Sequence, residues 1–390
     1  MDRYRVTVNW YPYTGLAIDL SSAVSGAVSI TNGRTDLSTS IGQNFGSLTF
    51  LKSQLWNIVA ANGYQKSAFS FGSLVSVSIG EVMTSADNVL FLGNITDISS
   101  DAYEITFSLV SNWVYKMTGF LPYSYAGTTD TTTAIVLDVA QNTGGGLVDA
   151  FVGDSENTIT VGPAEIANGL TYLSSIIPQS PSQYLFVDPW RDAWQLTERP
   201  PLGAFPDVVI AGDDVLLDYS LDRSVEDVSN RVSVIYDGGT FERTNATSVD
   251  RIGQRFQEIE TTIGTEDDAE KLGYWFLGAH APDGFPLITF RTTAELLGYS
   301  IAWIAENIQP NRVLDLTAVN AEGFDDFAYI EQLRYTITRS QWRIELIASN
   351  SDYSDLPQKW NQITSGIKWD DILNDPPSVV TWDDLLYIRL

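Results

Sequence analysis

Few residues in this chain could carry covalent or metal chemistry. Its 390 residues include no cysteine and a single histidine, His280. That removes disulfides, thiolate nucleophiles and Cys-based zinc sites together, and leaves one member for any Ser-His-Asp arrangement. No G-x-S-x-G elbow accompanies it. His280 stands in LGAHAPDG, residues 277–284, which reads as a polar loop between two elements rather than the setting of an essential base. Glycoside hydrolysis would need only a carboxylate pair, and 49 acids supply many. No peptidase or lysozyme signature appears with them. The acidic stretches GDSEN (153–157) and TEDD (265–268) lack the spacing and the placed glycine of a calcium loop. The second is better read as a helix cap. Gly144, Gly145 and Gly146 are followed by no lysine and are fed by no suitable strand, so they form a helix stop and not a phosphate loop. No catalytic, cofactor-binding or metal-binding residue is assigned, and the chain is expected not to be an enzyme.

The formal charge is −27, with only 22 basic residues, which argues against a phosphate-gripping surface. Two readings of the acidity stay open: solubility, or a surface that must not adhere to a polyanion passing close by. Hydrophobic content of 44% with 12% aromatics is that of a globular chain. Its length suggests two or three domains. No stretch approaches the length of a membrane-spanning helix. The opening MDRYRVTVNW lacks the regions of a signal peptide, so folding in a cytoplasm is expected.

These residues must be positioned by elements, and the first section is rich in strands. Residues 5–10 alternate, 27–31 run to the turn dipeptide Asn32-Gly33, and 47–51, 73–79, 89–92 and 103–109 follow. Residues 54–61 suit a brief helical turn. From about residue 120 the period changes. Residues 131–142 and 163–177 read as helices, the second with Pro163 in its first turn, and 184–187 with 193–197 reads as a hairpin. Beyond Pro200-Pro201 the β pattern returns at 215–219, 231–236, 285–291, 313–317, 328–337 and 341–348. One helix interrupts it near 265–277, with Thr265 as N-cap and acids in its first turn. Residues 296–308 suit a helix or a buried strand equally. The expected fold is mainly β with an α/β insertion: a first β-barrel domain (1–118), a small α/β domain (119–203), and a second, related β-barrel domain with one helix (204–350). Each β segment is expected to keep its own sheet.

The end of the chain stands apart. KWDDI (368–372) and TWDDL (381–385) repeat, with a looser KWNQI at 359–363, after a polar linker. Burying a Trp is worth roughly 2–3 kcal/mol or more, yet this segment is too short to bury three within itself. Trp360, Trp369 and Trp382 are therefore read as partner-docking anchors of a C-terminal extension, 351–390. An intramolecular clasp is the alternative.

Several stretches carry a resemblance through their order. VSITNGRTD (28–36), LTFL (48–51), FGSLVSVSI (71–79) and LFLGNITD (90–97) resemble the opening barrel of tail-tip hub proteins, the minor tail proteins of long-tailed (siphovirus-type) phages of actinobacteria. DRSVEDVSNRVSV (222–234) and IEQLRYTITRSQWRIEL (330–346) resemble later segments of the same family, departing at Tyr335, where many relatives carry His. The resemblance covers roughly residues 25–350. It implies a homotrimeric hub that closes the tail tube, adapts sixfold to threefold symmetry and forms a channel for the tape-measure protein and DNA. The implied partners are the distal tail ring protein, the tape-measure protein and other tail-tip or receptor-binding proteins, with DNA only in transit. The implied place is the virion tail tip, assembled in the host cytoplasm. A host-surface module binding a carbohydrate or receptor is the alternative.

Overall fold

The opening strand shows how composition becomes structure here. In YRVTVNWY, Tyr4, Val8 and Trp10 turn inward and the intervening residues stay partly accessible. A computed structural model of the chain describes residues 2–349, apart from 13–15, 35–41, 43, 83–86, 119–122, 144–157, 178–182, 189–192, 199–205, 211, 213–214, 223–227, 262, 281–286 and 317–326. Residues 350–390, with Trp360, Trp369 and Trp382, lie outside the described residues, as do Gly144 to Gly146 and the GDSEN loop.

The first segment comprises β1 (Tyr4–Tyr11), β2 (Ile18–Asp19), β3 (Val28–Gly33), β4 (Phe45–Leu51), α1 (Lys52–Ala61), β5 (Leu74–Glu81), β6 (Asn88–Ser100) and β7 (Glu104–Ser111). A small α/β unit follows: α2 (Asn112–Met117), β8 (Tyr123–Tyr125), β9 (Thr128–Thr131), α3 (Thr132–Thr143), β10 (Thr158–Val161), β11 (Ala164–Ile166), α4 (Gly169–Ile176), β12 (Gln183–Asp188) and β13 (Ala193–Glu198). The last segment opens with β14 (Val208–Val209), β15 (Asp218–Asp222), β16 (Arg231–Tyr236), β17 (Gly239–Thr244), α5 (Ala246–Ile252), β18 (Phe256–Glu260) and α6 (Glu266–Ala279). It closes with β19 (Leu287–Thr293), α7 (Ala294–Leu297), α8 (Ile301–Asn307), β20 (Val313–Asp315), β21 (Phe327–Ile337) and β22 (Trp342–Ser349).

The fold is mainly β, with the small α/β unit inserted where the period of the sequence changes. Among the described residues one sheet holds thirteen strands, running β15-β19-β22-β21-β3-β4-β7-β6-β5-β1-β2, with β20 and β14 beside β21. The expectation that each β segment keeps its own sheet is therefore corrected. β3 of the first segment pairs along its length with β21 of the last, Val28 opposite Ile337 through Gly33 opposite Gln332. One apolar cluster likewise runs through both, from Trp10, Phe50 and Phe107 to Phe290, Trp342 and Leu346. Local patterns encode pairs of neighbouring strands, and this seam joins strands from opposite ends of the chain.

Other differences have local causes. Residues 163–177 are not one helix, because Ala164 to Ile166 pair with β8. The helix starts only after Asn168, whose side chain accepts from the Thr171 N–H at 3.0 Å, so the Asn cap prevails over the proline signal. Asn32-Gly33 is no hairpin turn but the end of β3. Residues 296–308 are helical, broken by Gly298 at φ 72° and restarted by the Ser300 cap. Thr265 does cap α6, accepting from the Asp268 N–H at 3.3 Å. A separate three-stranded sheet, β17-β16-β18, packs Val232 and Val234 against Leu272 and Trp275 of α6.

Candidate functional surface

The seam between the segments is held from inside by a buried polar node. Arg34 follows β3 directly, and Glu331 is the residue left out of register in β21 between Ile330 and Gln332. Such a bulge re-aims a side chain, and here it brings the carboxylate to Arg34. Arg34 Nε donates to Glu331 Oε2 at 2.6 Å, with both side chains 1% exposed. Ser349 Oγ donates to the other carboxylate oxygen. Tyr184 of β12 completes the node: its hydroxyl accepts from the Arg34 N–H at 3.0 Å and donates to the Glu331 carbonyl at 3.1 Å. The guanidinium lies 5.1 Å from the Tyr184 ring centre. One node thus ties the first β segment, the α/β unit and the last β segment together. Gly33 makes the approach possible. At φ 109°, a Cβ there would stand 2.3 Å from the Glu331 carbonyl oxygen.

The face of the sheet turned away from the core carries small hydroxyls in register. Ser29 of β3 faces Ser47 of β4 on one side and Thr336 of β21 on the other. Ser47 faces Ser108 of β7, and Ser108 faces Asp97 of β6. Thr49 and Thr106 bring their hydroxyls within 2.9 Å. Alternate residues Ile30, Leu48, Phe107 and Tyr335 fill the core behind. Tyr335 donates its hydroxyl to the Ile308 carbonyl at 3.1 Å and meets Trp342 edge-on.

Toward β15 the same face becomes a lattice of charge. Arg291 donates to Asp218 and to Glu345, both at 2.9 Å, and Arg334 donates to Glu345 at 3.0 Å. The hydrogen bond to Asp218, then that to Glu345, holds the Arg291 pKa above its ordinary range. Arg343 stands opposite Thr336. Along these rows Arg291, Arg334 and Arg343 balance Asp97, Asp218 and Glu345, although the whole chain carries −27. Such a surface offers many rotatable hydrogen-bond groups and no excess positive charge to hold a phosphate.

Two of the residues considered for chemistry, His280 and Asp268, are described, and each is engaged locally. His280 ends α6, its Nδ1 2.9 Å from the Phe276 carbonyl and its ring stacked on Phe276 at 4.0 Å. It stands at the C-terminal cap of α6, where the helix gives way to the stretch before β19. Among the described residues no three His, Asp or Glu side chains gather in a way that could hold a metal ion. Asp268 is engaged by Thr265 at 2.6 Å and Lys271 at 3.3 Å. No local pattern in the sequence joins Arg34 to Glu331. The available signal was a carboxylate inside the otherwise apolar start of FAYIEQLRYTI.

No protein-family model matches the chain, and no curated protein matches it. Solved structures do. The 43 kDa tail protein of prophage MuSo2 from Shewanella oneidensis is 15% identical, with TM-score 0.57 over 90% of this chain and 99% of its own. A tail protein from Neisseria meningitidis is 12% identical, with TM-score 0.59 over 89% and 97%. A prophage tail protein from Listeria monocytogenes is 11% identical, with TM-score 0.50 over 88% and 94%. The chain therefore has the fold of phage and prophage tail proteins over nearly its whole described length.

Proposed function

We propose that this chain is a structural protein of a phage tail tip, a hub whose three copies close the tail tube. It adapts the sixfold tube to threefold symmetry and leaves a channel for the tape-measure protein and then DNA. The observation that carries this reading is the single sheet spanning both β segments, with two rows of hydroxyls and balanced charges across its outer face. A passage for a polyanion needs a stiff wall that does not grip phosphate. One hydrogen-bonded sheet supplies stiffness, and Ser and Thr with balanced charges supply a surface without grip. DNA is thus a passenger and not a ligand, and the chemistry is mechanical rather than enzymatic. The likeness to tail proteins in fold supports the same reading. Trp360, Trp369 and Trp382 then serve as anchors toward the distal ring, another tip protein or a neighbouring copy.

Symmetry-averaged images of virions, with this chain labelled, test the proposal. Three copies in a ring at the tail tip are expected. Six copies, or a chain absent from tails, would overturn it. Strong saturable binding of the isolated chain to purified host cell wall would favour the receptor- or carbohydrate-binding module instead.

A further inference from the structure

A second surface lies away from the sheet face, where α4 of the α/β unit stands across from β18 and α6. Between them is a groove of about 330 Å³. Its floor is apolar, made by Leu272, Trp275 and Phe276 of α6. One wall is anionic and the other is uncharged but rich in acceptors. On one side β18 carries the exposed carboxylates of Glu258 and Glu260. On the other, Ser174 and Ser175 occupy the last turn of α4, the negative end of that helix. Their hydroxyls already donate to the Leu170 and Tyr172 carbonyls at 2.8 and 2.7 Å, so what α4 presents is acceptor character.

β18 is also an edge. It pairs in parallel with β16 and has no strand on its other side among the described residues. The Thr261 N–H donates to the Ile235 carbonyl at 3.0 Å. Backbone groups alternate along a strand, so the N–H and C=O of Glu258 and Glu260 point away from β16, toward the groove.

We propose that this groove binds an extended cationic segment of another polypeptide, added as a strand to the β18 edge. Main-chain hydrogen bonds would come from Glu258 and Glu260, an aliphatic side chain would reach Trp275 and Phe276, and alternate Lys or Arg side chains would meet the two carboxylates. Charge sign selects the occupant. The chain's own residues 350–390 hold seven aspartates against three basic residues, the wrong sign for this rim. Nucleic acid has the wrong sign as well. A bound strand would touch both the α/β unit and the last β segment and so staple them together. The groove needs no tail role to act in this way.

The test titrates the full chain at physiological ionic strength with a fluorescent, terminally blocked peptide KVKIKVK, followed by anisotropy. KPKPKPK, equal in charge but unable to pair as a strand, is the control. Saturable one-site binding of the first peptide is expected, with the control weaker by at least about tenfold. Glu258→Lys/Glu260→Lys should weaken KVKIKVK binding by about tenfold or more with melting unchanged, and Ser175→Arg on the opposite wall should do the same. No binding, equal binding of both peptides, or binding indifferent to these variants would overturn the proposal.

Discussion

Arg34 and Glu331 stand 297 positions apart in sequence and 2.6 Å apart in space. Two charges taken so fully out of water are tolerated because each is hydrogen-bonded and they face each other. Removing one partner leaves the other buried and alone. Glu331→Ala and Arg34→Ala should each destabilise the fold by about 3–5 kcal/mol. Replacing both together with Met and Leu should cost clearly less than the two single changes summed. Denaturant melts of the four proteins measure this, and simple additivity would mean that the pair is not coupled.

Gly33→Ala tests the seam from the backbone side. The new methyl would lie 2.3 Å from the Glu331 carbonyl at a φ of 109°. A loss of about 2–4 kcal/mol is expected. Gly26→Ala is the control: it also has positive φ but nothing within 4 Å. It should cost only the conformational strain, about 1 kcal/mol. Equal losses in the two variants would show that the close approach is not what constrains Gly33.

Alkali should loosen the protein. Burial pushes the phenols of Tyr4, Tyr172 and Tyr335 well above the ordinary value of 10.0, and that of Tyr125 up to about 12. Above pH 10 the unfolded chain releases phenol protons that the native chain keeps, so stability falls as pH rises. Their contribution is complete below pH 10 and is lost as pH climbs through the folded-state values. Melting temperature against pH should fall from about pH 10 upward, and Tyr335→Phe should flatten that fall. A melting temperature constant to pH 12 would contradict the assignment.

Changing Trp369 and Trp382 to Ala together separates docking from clasping. The isolated protein should melt unchanged while tail assembly fails or loosens. Melting many degrees lower with assembly intact in the cold would mean that these residues close on their own chain.

Much of the architecture is legible in residue types and spacing. Alternation marks β1, β5, β7 and β22, and the Thr265 cap marks the start of α6 within one residue. What escapes is of two kinds. β18, FQEIE, buries so little that it lacks the alternation by which strands are recognised. The pairing of β3 with β21, and with it the Arg34–Glu331 contact, depends on which distant strands meet, and no local pattern encodes that. The reason Gly follows Asn32 is visible only once Glu331 is in place.

The seam also has a consequence for birth on the ribosome. β3 finds β4 early, but the strand for its other edge begins only at Phe327. At ordinary rates of synthesis that edge waits on the order of half a minute. During the wait it is an open template for the same edge of another nascent chain. Ser29 and Thr31, outward-facing and hydrophilic, give such a wrong partner little to bury, so the interval is safest at the strand that waits longest.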